Sequence, residues 1–436
     1  MPTRTRSKSS LPPLGVADVR FVAAGRNGRR TFVPHGFNYE WTIRDGRAVR
    51  LEDLLTGGTD RIAADFSAMR DLGANTVRVF LPTATFLRGP TEVDRGALRR
   101  LGALFRSAER NRLRLILTGL SLIRAADIPG WLRRASDATI ERAELTFWRA
   151  LARRGRSEAS ILAYDLQNEP AIHWTDSRLL VEGCLHTPTG DPYFYVHRHY
   201  RRIRRAWGQH VRRLFRREAT LAARWRDYPR RGEKWSAIAC PAESRRDPRY
   251  GDYLGFHAEL LSTWAERLAA AIRQADPHHL ITVGALNPSA MAKAVDFYSL
   301  HLYPKRVAAH RRFIPVNRAI WRRQIADVPT DKPLLIEEFF PLYTPRGVPP
   351  RAVVNALFSA TQHRAAGCLT SYFGPPEILR PVRPEDRRHQ ADVDVYAATL
   401  AHWRAVRHVK RRSARRGRCA AAAWRAASPR RRSPRP

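Results

Sequence analysis

The 436-residue sequence is poor in cysteine, lysine and acid. Its four cysteines (Cys184, Cys240, Cys368 and Cys419) stand far apart and form no CxxC pair. That excludes a zinc ribbon and a disulfide-stapled framework. No apolar run approaches the roughly 20 residues that a membrane helix needs, so no membrane partner is expected. No GxGxxG follows an apolar run and no GxxxxGK[ST] occurs, which removes the common dinucleotide and P-loop signatures. Residues 1–15 carry charge but no apolar stretch of the kind a secretory signal requires, which predicts a cytoplasmic location if the start is correct and leaves it unknown otherwise. Acidic residues number 40 against 78 Lys plus Arg, a formal charge of +38, yet only six of the basic residues are Lys. Two readings of the arginine excess stay open: compositional bias with a solvated basic surface, or a polyanion partner.

What is present is enough for a large core. Apolar residues are 44% and charged residues 27% of the chain, which excludes a disordered protein. Residues 1–17 are polar and Pro/Ser-rich and are expected to be disordered. Residues 406–436 form an Arg-rich tail, also expected to be disordered, that allows weak, non-specific polyanion binding. Residues 18–405 alternate short apolar or β-branched runs with helical patterns. The strand candidates are 32–39, 75–81, 113–119, 160–166, 279–284, 295–303, 333–339 and 368–373. Most are continuously apolar, as strands covered on both faces are.

Helical spacing lies between them. Ile62, Phe66, Met69 and Leu72 follow the cap candidates Thr59 and Asp60, and Gly73 is placed to stop that helix. Leu261, Trp264, Leu268 and Ile272 form a second stripe, and 95–111, 137–153, 308–326 and 350–365 also read as helices. Eight strands interleaved with helices predict a (β/α)8 TIM barrel, with a doubly wound open sheet as the runner-up. A long helical insertion, 171–250, follows strand 4. Within it Tyr200, Ile203, Trp207, Val211 and Leu214 form an apolar stripe beside eight arginines. Such an insertion follows a strand and belongs on the catalytic face of a barrel.

Strand ends of a barrel carry its chemistry. The fourth candidate ends in Gln167-Asn168-Glu169-Pro170 and the seventh in Glu337-Glu338-Phe339. The sixth ends in His301-Leu302-Tyr303-Pro304, the second contains Arg78, and the first ends in Asn38-Tyr39-Glu40-Trp41. Two carboxylates facing each other across one barrel mouth can cleave a glycosidic bond. In a regular strand Glu337 and Glu338 point to opposite sides, so only one is expected to face the axis.

The pieces GFNYEW (36–41), LGANTVRVFL (72–81), YDLQNEP (164–170), DFYSLHLYP (296–304) and KPLLIEEFF (332–340) occur in an order that resembles (β/α)8 glycoside hydrolases of the retaining clan, family five, the cellulases and mannanases. The resemblance covers residues 18 to about 400. It implies a retaining hydrolase acting on β-linked hexose glycans, mannan- or glucan-like, as a monomer without cofactor or metal. It implies Glu169 as acid/base and Glu338 as nucleophile, the latter favoured over Glu337 by its spacing from Lys332-Pro333. It implies Asn168 on the sugar 2-hydroxyl, Arg78 and Tyr303 on the nucleophile, and His301 near the acid/base. Asn38, Trp41, Trp174 and Tyr372 join the substrate-binding set, with Tyr343 and Phe373 as further stacking candidates. Three features depart from the family. Leu117-Thr118-Gly119-Leu120-Ser121 stands where a His is common, Tyr372-Phe373 where a Trp is common, and Phe340 where Gly is usual. These leave the sugar specificity open. An exo-acting glycosidase or transglycosylase on short oligosaccharides, and a basic polyanion-binding protein on a lapsed barrel, are the alternatives.

Overall fold

The computed structural model describes residues 11–25, 28–44, 47–121, 129–133, 135–170, 200–217, 223, 225, 247–307, 309–339, 344–370, 397–399 and 401–402. Trp174, Tyr343, Tyr372, Phe373, much of the 171–250 insertion and the whole 406–436 tail lie outside these residues.

An antiparallel meander opens the chain: β1 (Leu14–Ala17), β2 (Arg20–Gly25) and β3 (Gly28–Phe32). The expected disordered segment ended at residue 17, but Leu14–Ala17 pairs residue by residue with Ala23–Arg20. Three partly buried apolar positions give that strand a face to pack, which a reading weighted by its polar flank overlooks. Pro34 cannot donate to a ladder, so the first expected strand divides around it. Phe32 ends β3, and β4 (His35–Tyr39) starts the barrel.

After β4 come the hairpin β5 (Trp41–Arg44) and β6 (Arg47–Arg50), then β7 (Thr76–Pro82), β8 (Arg114–Ser121) and β9 (Ile161–Asp165). The second half holds β10 (Leu280–Thr282), β11 (Gly284–Ala285), β12 (Tyr298–Leu302), β13 (Leu334–Phe339) and β14 (Ala365–Thr370). One parallel sheet runs β10-β9-β8-β7-β4-β14-β13-β12-β11. Its two edges, β10 and β11, are successive pieces of one stretch separated by Val283 alone. The sheet therefore closes on itself as an eight-stave (β/α)8 barrel, which excludes the open sheet.

Among the described residues the longer helices are α1 (Leu51–Gly57), α2 (Thr59–Asp71), α3 (Arg95–Arg110), α4 (Asp137–Gly155), α5 (Tyr200–Arg217), α6 (Tyr250–Ala275), α7 (His310–Ala326) and α8 (Pro350–Thr361). Their apolar faces and the outward residues of the staves, such as Val77, Val79, Leu115, Leu117, Leu334 and Ile336, form the main core. Asp94 and Ser136 cap α3 and α4 by accepting from the Ala97 and Thr139 amides at 2.7 and 3.2 Å. Thr59 and Asp60 do not cap α2. Only Gly58 separates it from α1, so no extended residue precedes the helix, and Gly58 is the cap position. Gly73 does stop that helix. It takes the left-handed conformation (φ +101°), and its neighbour Ala74 donates back to Met69 at 3.0 Å. In the insertion, Trp207 and Val211 of α5 are buried, while Arg205, Arg212, Arg213 and Arg216 are exposed.

A second, smaller cluster fills the barrel where its strands begin. Phe21 of β2 enters it and meets Phe297 edge-on at 4.9 Å, among Ile116, Leu162, Leu280, Leu335 and Leu369. The meander is thus a plug across the amino-terminal end of the staves. Arg114, first in β8, ties it down by donating to the Pro12 carbonyl.

Candidate active site

At the other end the barrel interior turns polar. Alternate residues of each stave point inward, so the apolar positions Ile116 on β8 and Leu335 on β13 are succeeded by Thr118 and Glu337. Arg78 of β7 is fully buried at the centre of this layer. Its Nη2 and Nε donate to Asp165 Oδ2 at 2.6 and 3.0 Å, and its Nη1 donates to Glu338 Oε1. Nη2 also reaches Asn168 Oδ1 at 2.9 Å and Nη1 reaches Asn38 Oδ1 at 3.2 Å. Burial opposes the charge of Arg78, but Glu337, Asp165 and Glu338 outweigh it and raise its pKa well above the usual value. Asp165 is held by Thr118 Oγ1 at 2.7 Å and the Gly284 amide at 2.9 Å. Burial lifts its pKa to about 6 against the lowering pull of Arg78.

Glu169 and Glu338 share this mouth. One carboxylate oxygen from each, with a His301 ring nitrogen, forms a triangle with no side longer than 4.8 Å. His301 Nδ1 lies 2.7 Å from Glu169 Oε1 and 3.5 Å from Glu338 Oε2. Tyr303 Oη donates to Glu338 Oε2. Glu169 has φ +45°, a left-handed backbone that costs a non-glycine residue about 1 kcal/mol or more. The bond from its amide to the Gly284 carbonyl, at 2.8 Å, holds it there. Strain of this kind, at a strand end and under a carboxylate aimed at a shared mouth, is typical of functional positions.

Burial and charge act in opposite directions on His301. Burial would lower its pKa, but Glu338, Glu169 and Glu337 together raise it to about 10. The three acids around it therefore favour the cationic form of the imidazole.

The expectation that only one of Glu337 and Glu338 faces the axis is wrong for this chain. Leu300 pairs with Ile336, but the next residue, His301, pairs with Glu338. Glu337 is the extra residue of a β-bulge, and a bulge breaks the in/out alternation. Both carboxylates turn inward: Glu337 Oε1 lies 3.5 Å from Arg78 Nε, while Glu338 takes Nη1 of the same guanidinium.

Asn38 sits beneath the mouth, where its amide donates to the carbonyls of Glu337 and Thr370 at 2.9 and 2.8 Å. With Oδ1 on Arg78, that side chain braces the bulge. Arg78 has only donors, so Asn168 must face it with its carbonyl oxygen, which turns the amide group the other way. Trp41 opens β5 opposite Arg50. The sequence reading missed Asp165, Thr118 and Gly284. A charged residue ending an otherwise apolar buried strand was the available signal for Asp165.

No family model matches the chain, and no curated protein sequence does. Solved structures do resemble it. An exo-β-1,4-mannosidase from an Opitutaceae bacterium aligns over 88% of this chain at 18% identity with a TM-score of 0.53, and this chain spans 61% of that one. A GH5_18 variant from Streptomyces cattleya in complex with Manβ1-4GlcNAc aligns over 85% of this chain and 81% of its own at 16% identity, with a TM-score of 0.50. The same GH5_18 protein in complex with GlcNAc gives 0.50 at 14% identity, over 86% and 81% of the two chains. At such identities the likeness is one of fold: the chain is a (β/α)8 barrel that resembles glycoside hydrolases of family five.

Proposed function

We propose that the chain is a retaining β-glycoside hydrolase acting on β-mannosidic linkages. The observation that carries the reading is the pair of carboxylates, Glu169 after β9 and Glu338 in β13, with an oxygen of each within 4.8 Å. Retaining enzymes hold their carboxyl groups about 5–5.5 Å apart, whereas inverting ones leave about 6.5–9.5 Å for a water.

Glu338 is the nucleophile in this reading. Arg78 and Tyr303 fix both of its oxygens, so the attacking lone pair has one direction. Its oxygen bonds to the anomeric carbon as the glycosidic C–O bond breaks, and Glu169 gives its proton to the departing oxygen. In the second step water attacks the glycosyl ester. Glu169 takes a proton from that water, and Glu338 leaves as carboxylate. His301 donates to Glu169 throughout, and Asn168 presents its amide to the sugar 2-hydroxyl. The preference for mannose rests on the mannose-directed names of the structural neighbours.

The test is a panel of aryl β-glycosides and β-1,4-mannan oligosaccharides, with the anomer of the first product read by NMR. The β-mannoside should be the best substrate and its β-anomer the first product. An α-anomer first would contradict double displacement, and a preference for β-glucosides would overturn the mannose assignment. Chain-end cleavage is a second reading, favoured by the likeness to an exo-mannosidase. Release of mannose alone from long oligosaccharides supports it, and mixed internal fragments oppose it.

A further inference from the structure

We propose that Glu337 is a positioning residue of this site: seated by the inward alternation of β13 and by the missing side chain of Gly284, it anchors the far nitrogen of His301 so that the near nitrogen presents a proton to Glu169. The inference deepens the reading of Glu169 and Glu338 as the reacting pair and rests on it.

Three observations carry it. First, Glu337 follows the lumen residue Leu335 in the alternation of β13 and so points into the barrel, and the register shift between Leu300 and His301 brings Glu338 to the same side. A carboxylate in a fully buried layer is costly unless it faces positive charge. Glu337 has two such partners at equal distance, Arg78 Nε and His301 Nε2, each 3.5 Å away. Second, the space it fills exists only because position 284 is glycine. A Cβ there would fall 2.3 Å from Glu337 Oε2, 2.7 Å from His301 Nε2 and 2.8 Å from Arg78 Nη2. Third, both ring nitrogens of His301 face carboxylate oxygens, Nδ1 toward Glu169 and Glu338 and Nε2 toward Glu337. Carboxylates offer only lone pairs, so a ring so placed is satisfied when both nitrogens carry hydrogen.

The consequence for the reaction is specific. Glu169 alternates between acid and carboxylate within one turnover. A ring that keeps its Nδ1 hydrogen in both states holds the carboxyl in one orientation while its charge changes. Glu337 makes the ring dependable by giving the second hydrogen a partner. The groups facing His301 are Glu169 beyond the end of β9 and Glu337 and Glu338 from β13, with Arg78 from β7 crowding the same space over Gly284. Among these Glu337 is the carboxylate that meets Nε2.

The test uses the full chain and the variants Glu337→Gln and Glu337→Asp, with the labelled ring of His301 followed by NMR across pH. Gln keeps the shape and removes the charge. In the wild type both ring hydrogens should persist past about pH 8, whereas in Glu337→Gln the second should be lost at least one pH unit earlier. The kcat on an aryl β-mannoside should fall about 10- to 100-fold, the scale seen when a group orienting a functional histidine is lost, with KM changed little. Glu337→Asp should recover part of both. An unaltered His301 titration with wild-type kcat in Glu337→Gln overturns the proposal, as does a loss confined to KM or to melting temperature. If the wild type cleaves no glycoside, the catalytic reading falls, and the His301 titration still decides whether Glu337 holds the ring.

Discussion

The two ends of this barrel are built from the same eight staves and differ in almost everything else. Where the strands begin, Phe21, Phe297, Ile116, Leu335 and Leu369 fill the lumen with hydrocarbon. Where they end, Arg78, Asp165, Glu337, Glu338 and His301 fill it with charge. The first arrangement stabilises through burial alone and needs no particular orientation. The second is worth little unless every group finds its partner, because unpaired buried charge costs several kcal/mol. Packing can vary at the first end without chemical consequence, whereas each change at the second has one.

The largest effect should come from the charged end. Glu338→Ala is expected to lower turnover on the order of 10⁴-fold or more while leaving the melting temperature within a few degrees. Steady-state assays and calorimetry on one preparation measure both. A variant that loses activity only because it melts would blur the contrast.

Arg78→Leu should break the charged end as a structure. It removes the guanidinium that faces three carboxylates, and removing one partner of a buried ion pair costs about 3–5 kcal/mol. Chemical denaturation reads the loss, which should shrink at low pH as the acids take up protons. At the apolar end Phe21→Ala should cost a similar 3–5 kcal/mol by leaving a cavity. Its kcat and KM well below the melting temperature should stay at wild-type values. A kinetic change there would mean that the plug and the mouth are coupled.

Glu144 sharpens the comparison from outside the lumen. It lies on α4, buried against α6, where the Trp264 Nε1–H contacts both its oxygens at 3.3 Å. Burial pushes its pKa up to about 8 against the lowering pull of Trp264 and Arg267. Between the ordinary value of 4.5 and 8 the folded protein holds a proton that the unfolded chain has lost. Stability therefore falls as pH rises through that window, by up to about 1.4 kcal/mol per pH unit. Glu144→Gln should match the wild type near pH 4.5 and exceed it above pH 8, flattening the curve. Denaturation at a series of pH values measures this.

The apolar end and the staves were largely readable from sequence, because a strand covered on both faces writes itself as a continuous apolar run. The 333–339 and 75–81 runs lie within one residue of β13 and β7. The motifs Asn168-Glu169 and His301-x-Tyr303 also marked side chains that meet in space. That Glu337 and Glu338 both turn inward was not readable. It depends on how β12 slides against β13, a relation between strands that neither segment encodes alone. Gly284 escaped for a similar reason: its meaning lies in what crowds around it from β7, β12 and β13. The meander was missed at its start because Leu14–Ala17 is short and follows a polar stretch.

The most direct test of the central claim, that Glu169 and Glu338 are acid/base and nucleophile across one mouth, is to trap the glycosyl-enzyme with a 2-fluoro β-mannosyl fluoride and map the label by peptide mass spectrometry. The account predicts one added sugar per chain, on the peptide that holds Glu338 and at that residue. A label on Glu337 or Glu169, or stoichiometric inactivation with the sugar elsewhere in the chain, would contradict it.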